Sequence, residues 1–346
     1  MNNNERFSCK ITRVSFGLAV CVVFIHANNT ITYQFNMAST VERLIYIFEN
    51  WAQGWQQCAV PLFFVISGFL FYRNYSPDKL ISKWKSRCQT LLIPYLIWTN
   101  IPWLLLSIVK LTPLGKYIHT DATFTIRSWL EFVIQCKGTV LWYVRSTIVF
   151  VLLTPIIFTV MKSKRMGIIF IVSIMFINTL MISMGIKVVE EQYWCIPYLV
   201  GAWIAIWRPD FFVKRAKRKN VTVACTVFIF LLTIAINYEI TLFHPVTQFL
   251  YKMSLPLPLW FALDIFEFER KPRWFEKMSF PLYCTHAIIL ETIEKVIYIA
   301  WGNCITVAFA SYIFTPILVI LILLLIFHNI SRYFPHIYRL AFGSRG

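Results

Sequence analysis

The sequence predicts an all-α, polytopic integral membrane protein with about ten transmembrane helices and both termini on the cytoplasmic side. Three observations carry this. Of 346 residues, 58% are hydrophobic and 14% charged, with mean hydropathy +0.63, more apolar surface than a soluble chain of this length can hide. The apolar residues fall in helix-length runs parted by Pro, Gly and charged clusters. The Lys and Arg residues are distributed unevenly among the gaps between those runs.

The runs lie near residues 13–33, 55–72, 90–109, 139–161, 166–185, 192–207, 220–238, 246–263, 279–298 and 304–328. The first enters from Arg13 and holds one ionisable side chain, His26. At about 1.5 Å per residue, His26 falls roughly 20 Å beyond Arg13, about two-thirds of the way across a ~30 Å bilayer core. An ionisable group at that depth is a functional candidate, with a hydrogen bond to a neighbouring helix as the alternative. No small-residue cleavage pattern follows His26-Ala27-Asn28-Asn29, so the run reads as retained rather than as a signal peptide. The second run contains the small pair Ser67-Gly68, which marks close helix packing or a narrow cavity beside the notch. The third is entered from the basic stretch Lys83-Trp84-Lys85-Ser86-Arg87. The fourth opens Leu141-Trp142-Tyr143-Val144-Arg145, and that guanidinium either snorkels outwards or shares a polar cavity with His26. The ninth places a second histidine, His286, near mid-membrane. Two outward stretches are longer: residues 29–54, with Tyr33, Trp51 and nearby Trp55, and residues 124–134, an amphipathic surface helix. Their aromatics read as interfacial anchors, or else as a sugar-binding cleft.

The net charge of +17 invites a nucleic-acid partner, but the distribution argues for lipid. With the N-terminus inside, the inner stretches hold 24 Lys and Arg, the outer loops seven, and Arg145 and Lys252 fall within runs. This is the positive-inside pattern, and runs such as Lys214–Lys219 read as orientation determinants and headgroup contacts. No nucleic-acid partner is expected. The nine cysteines show no metal-ligand spacing and read as small buried hydrophobes, an outward pair such as Cys58 and Cys136 being the one disulfide worth considering. No Walker-type phosphate loop, GxGxxG, GxSxG or HExxH occurs, which excludes the ATP-driven and common hydrolase chemistries. Without internal repeats, residues 1–346 read as one domain with cytoplasmic tails at 1–12 and 329–346.

Five blocks, in order, resemble acyltransferase family 3, integral membrane enzymes whose bacterial members include O-antigen and capsule O-acetyltransferases. They are Val22-Val23-Phe24-Ile25-His26-Ala27, the block from Val60 to Phe69, the basic entry at Lys83 to Arg87 leading to Ile93-Pro94-Tyr95-Leu96, Leu141-Trp142-Tyr143, and Ser279-Phe280-Pro281-Leu282-Tyr283-Cys284-Thr285-His286. The chain departs from the family pattern at two places. Ser15 stands where the family has a basic residue, with Arg13 about 200° away around the helix, and Thr90 stands where a second Arg follows Arg87.

The resemblance implies transfer of an acyl group, most often acetyl, from acetyl-CoA to a hydroxyl of a cell-surface polysaccharide such as lipopolysaccharide O-antigen, in the inner membrane of a bacterium. It implies no permanently bound cofactor and no metal. The partners expected are acetyl-CoA, membrane lipids and a glycan acceptor, lipid-linked or still growing. His26 is the expected general base or transient acyl acceptor, since imidazole titrates near neutral pH. Arg145 is expected to stabilise the oxyanion or hold the sugar, and His286 to orient or relay a proton. Arg73, Lys83, Lys85 and Arg87 are candidates for the donor's phosphates, although membrane topology alone explains their charge. The rival function is a non-catalytic glycan exporter or flippase on the same scaffold. Against it, the chain shows neither corresponding halves nor paired Gly/Pro-broken helices.

Overall fold

A computed structural model gives the chain as helices joined by turns: 81% is helical, and no strand occurs among the described residues. It describes every residue except 30–32, 117–119, 216–218, 241–244, 267 and 344–346, and omits the side chains at 114, 116 and 236–240. The basic run Lys214–Lys219 therefore lies partly outside the described residues.

Helix α1 (Asn3–His26) starts earlier than hydropathy suggests because Asn2 and Glu5 form a reciprocal capping box. Most of the expected tail at 1–12 is thus helical, and His26 is not an interior residue but the last of a 24-residue helix, roughly 35 Å from its start. Helix α2 (Thr40–Gln56) occupies what reads in sequence as an aromatic loop; the Ser39 side chain caps it. It is followed after a short break by α3 (Ala59–Tyr72). Then α4 (Leu80–Arg87) runs through a π turn, Cys88–Leu92, into α5 (Ile93–Lys110). Helix α6 (Ile126–Gln135) leaves Ile126, Leu130 and Ile134 exposed along one face while Ser128 and Phe132 are buried, the pattern of a helix lying on a membrane surface.

The remaining helices are α7 (Trp142–Leu152), α8 (Thr154–Met161), α9 (Lys164–Ser183), α10 (Glu190–Trp207), α11 (Lys219–Ile240), α12 (Pro245–Ser254), α13 (Pro256–Ala262), α14 (Ser279–Trp301), α15 (Ile305–Tyr333) and α16 (Pro335–Phe342). Five stretches are long and apolar enough to cross a membrane: Asn3–His26, Thr40–Tyr72, Pro77–Lys110, Lys164–Ser183 and Ile305–Tyr333. The pair α7 and α8, bent by 67°, makes a sixth if it is one span. The expectation of ten crossings is met only to this extent. The other runs do form helices, but α10 opens on Glu190 and Glu191, and α14 carries Glu291, Glu294 and Lys295. The run near 246–263 is divided at Leu255 into α12 and α13.

At the centre α3 packs along α10, with α1 against α3 and α14, and α15 beside α14. Glycines set the α3–α10 spacing: a Cβ added at Gly68 would lie 2.1 Å from the Tyr198 carbonyl oxygen, and one at Gly201 2.1 Å from that of Val65. Outer faces of α9 and α15 expose Ile169, Val172, Phe176, Phe314, Leu318 and Leu321, an apolar surface suited to lipid. The inner part of α1 is tied to the segment before α14. Arg6 and Lys10 pair with Asp264, the latter at 2.9 Å, and the Lys10 ammonium sits 4.0 Å over the Trp260 ring. Arg13 meets Glu276 at 3.6 Å and bonds the Arg270 carbonyl.

Candidate active site

A cavity of about 650 Å³ opens among α1, α3, α7, α10 and the start of α14. One face of α1 contributes Ser8, Thr12 and Ser15, spaced i, i+4 and i+7 so that all three point the same way. From α3 come Phe63, Ser67 and Leu70. The Ser67-Gly68 notch thus serves both purposes open to it: Gly68 admits the α10 backbone, and Ser67 faces the cavity, its hydroxyl 2.6 Å from that of Tyr143. The Tyr143 ring packs on Phe64 at 4.6 Å and lies 5.8 Å from the ring of Tyr283, also on the cavity wall.

Of the four cations proposed for the donor, Arg87 lines this cavity. It is the last residue of α4, immediately before the π turn, and such turns re-aim side chains relative to a regular helix. Its guanidinium lies 5.8 Å from the centre of the Phe71 ring and within electrostatic reach of Tyr198 and Tyr143. Lys83 instead bonds the carbonyls of Phe71 and Arg73 at the end of α3, the favourable place for a cation on a helix. Arg73 donates to the Asn4 side chain at 2.7 Å, and Lys85 is exposed to solvent. Lys277, not singled out from the sequence, is the other cation on the wall. Thr90 is turned away: its hydroxyl donates to the Ser86 carbonyl, and Gly343 packs directly on it. Gly343 has φ of +70°, and a Cβ there would stand 2.7 Å from the Thr90 Cα, so only glycine lets the chain end approach so closely.

The two membrane histidines meet. Their ring centres are 5.4 Å apart, and His286 lies one helical turn after Tyr283, ring to ring 6.2 Å. Neither histidine is on the cavity wall; Tyr283 is the link between the pair and the cavity. His286 is 0% exposed, with Nδ1 at 3.1 Å and 3.0 Å from the Leu282 and Tyr283 carbonyl oxygens. Carbonyls only accept, so this network assigns the proton to Nδ1 and leaves the Nε2 lone pair, which has no hydrogen-bond partner among the described residues. His26 is half-buried at the end of α1. Just beyond it, Asn29 donates its backbone and side-chain N–H to Glu49 at 3.0 and 2.9 Å. Glu49 is fully buried, which nothing in the sequence signals, because the stretch around it reads as a loop.

Arg145 is placed elsewhere. Its guanidinium bonds Glu190 and Glu191 at the start of α10 and the Ile134 carbonyl at the end of α6, and it is not on the cavity wall. Two carboxylates in the first turn of α10 also favour that helix dipole. Cys136, beside the same junction, has Sγ at 3.2 Å from the Tyr95 hydroxyl; it and Cys58 are both free thiols. Near the start of α14, burial pushes the Glu276 carboxyl upwards in pKa, but the Arg273 N–H and the Arg270 guanidinium outweigh it and hold the group below its ordinary value.

Residues 16–328 match the sequence profile of the acyltransferase domain of acyltransferase family 3, nearly the whole chain. The chain belongs to acyltransferase family 3. No individual curated protein and no solved structure matches it. Together with its apolar helices, the family makes the protein a multi-pass membrane acyltransferase. For this family 3 member, the cavity, its cations and the adjoining histidine pair form the candidate active site.

Proposed function

We propose that the protein transfers acetyl from acetyl-CoA to a hydroxyl of a cell-surface polysaccharide, such as lipopolysaccharide O-antigen, in a bacterial inner membrane with both termini cytoplasmic. The observation that carries this reading is the cavity itself. It presents Arg87 and Lys277 for anionic phosphates, apolar walls for an alkyl arm, and Tyr283 at the threshold of a paired-histidine centre. The basic residues concentrated in the inner stretches support the orientation.

In the proposed reaction the acceptor hydroxyl oxygen attacks the thioester carbonyl carbon, its proton passes to an imidazole, and the carbon–sulfur bond breaks. The departing thiolate then takes that proton, so the products are the ester and free thiol. His26, half-buried and beside the outward segments, takes the acceptor proton. His286, held as the Nδ1–H tautomer, offers an Nε2 lone pair that can relay it, the two ring centres being 5.4 Å apart. The phosphate role extends from Arg87 to Lys277, while Arg73 and Lys83 brace the end of α3. Arg145 joins α6, α7 and α10 and holds the outer rim.

Mass spectrometry of surface glycans from cells with and without the gene tests the proposal. An acetyl increment present only with the gene is expected. Glycans identical in mass but retained inside the cell without the gene would instead indicate export.

A further inference from the structure

Tyr198 on α10 is 0% exposed, and its hydroxyl has no hydrogen-bond partner among the described residues. A buried hydroxyl left unpaired is costly, and native proteins rarely retain one without a use. The apolar body of the ring is well seated, 4.9 Å from Phe150 and 6.3 Å from Tyr72, and the glycine contacts of α3 and α10 fix the backbone beneath it. The residue nevertheless lines the cavity, within electrostatic reach of Arg87. A guanidinium only donates hydrogen bonds, and on the same cavity wall is a phenol with nothing to donate to; both call for an acceptor of negative charge in the cavity they share. This chain also lacks a second guanidinium at Thr90, whose hydroxyl is spent on Ser86 and covered by Gly343.

We propose that the Tyr198 hydroxyl and the Arg87 guanidinium together bind a phosphate oxygen of the acyl donor, so that a neutral phenol does the work of a second basic residue. The proposal rests on the reading of the cavity as the coenzyme A site. It explains why the hydroxyl is kept in a wall where phenylalanine would pack equally well.

Tyr198→Phe in the purified full-length protein is the test, because it removes one oxygen atom and nothing else. Without ligand, the variant is expected to melt no lower than wild type, since no hydrogen bond is lost. Its Kd for coenzyme A should rise roughly tenfold or more, the worth of a hydrogen bond to a charged group. Binding of S-acetylpantetheine, which has no phosphate, should not change. A clearly lower melting temperature without ligand would make the hydroxyl structural and overturn the proposal. So would an unchanged Kd for coenzyme A, or an equal loss with S-acetylpantetheine, which would put the hydroxyl at the thioester end. Wild-type protein that fails to bind coenzyme A would remove the donor reading itself, a result distinct from a variant that matches wild type.

Discussion

Replacing Gly68 by alanine tests the packing on which the site geometry depends. The added methyl carbon would stand 2.1 Å from the Tyr198 carbonyl oxygen and 3.1 Å from the Ala202 nitrogen. Both are backbone atoms of a buried helix, so no side chain can swing away. Carbon contacts settle at about 3.5–4.0 Å, so α3 and α10 must part by about 1 Å or more along their tightest contact. Overpacking of this kind typically costs about 1–3 kcal/mol, and a contact between two backbones belongs at the upper end. Gly201→Ala meets the Val65 carbonyl at the same 2.1 Å. A single separation of the helices relieves both clashes, so the double variant should cost much less than the sum of the two singles. Thermal unfolding of the purified protein measures this, with coenzyme A affinity as a second readout because Tyr198 rides on the displaced backbone. A Gly68→Ala protein with wild-type melting temperature would show that α3 and α10 do not pack as described, and the cavity wall would have to be redrawn.

Three further outcomes are expected. His26→Ala should abolish glycan acetylation at normal expression, and His26→Gln, which keeps a hydrogen-bonding shape but cannot take the proton, should fail too; acetylation by either folded variant would remove His26 from the chemistry and leave His286. Arg145→Ala strands the carboxylates of Glu190 and Glu191 and should lower the melting temperature while leaving coenzyme A affinity within about twofold; lost acetylation at unchanged stability would return Arg145 to the reaction. Because the Glu276 pKa is depressed in the folded protein, its contribution to stability is complete above the ordinary carboxylate value of 4.5 and is lost as pH falls through the lower folded value. Melting curves across that acidic range should therefore converge for wild type and Glu276→Gln, and parallel curves would argue against the linkage.

Hydropathy and charge are enough to find the apolar helices and the histidines within them, because membrane insertion is decided locally by the composition of each run. They are not enough to count the crossings. The 246–263 run is apolar throughout yet breaks at Leu255, where prolines on the far side set a new helix start, and α14 is helical in spite of three charges. Helix α2 is hidden in the sequence for the opposite reason: it is amphipathic, and its apolar run Leu44-Ile45-Tyr46-Ile47-Phe48 is only five residues long between Glu42-Arg43 and Glu49-Asn50. The meeting of His26 and His286 was not legible either, since two residues on separate helices share a level only once the starts of both helices are known.

The cations of α1 are placed by partners far along the chain. Arg6, Lys10 and Arg13 recur at i, i+4 and i+7, and so do Ser8, Thr12 and Ser15, but on another face of the same helix. Sequence periodicity identifies the two stripes without saying which one meets the cavity. That is settled by Asp264 and Glu276, far along the chain, which draw the basic stripe to the segment before α14. The hydroxyl stripe is then left for the cavity, and Arg13 cannot stand in for a basic residue at position 15 without abandoning Glu276. Among the described residues, positive charge in the cavity comes from Arg87 and Lys277, on other elements. The departure at Ser15 is thus matched by a redistribution of charge around the wall, and a carboxylate swap on the tether bears on it directly: Glu276→Gln removes the carboxylate partner of Arg13 but leaves its bond to the Arg270 carbonyl, and coenzyme A affinity should stay unchanged because Asp264 still fixes the face of α1; a raised affinity would show that Arg13 reaches the cavity and would refute this account.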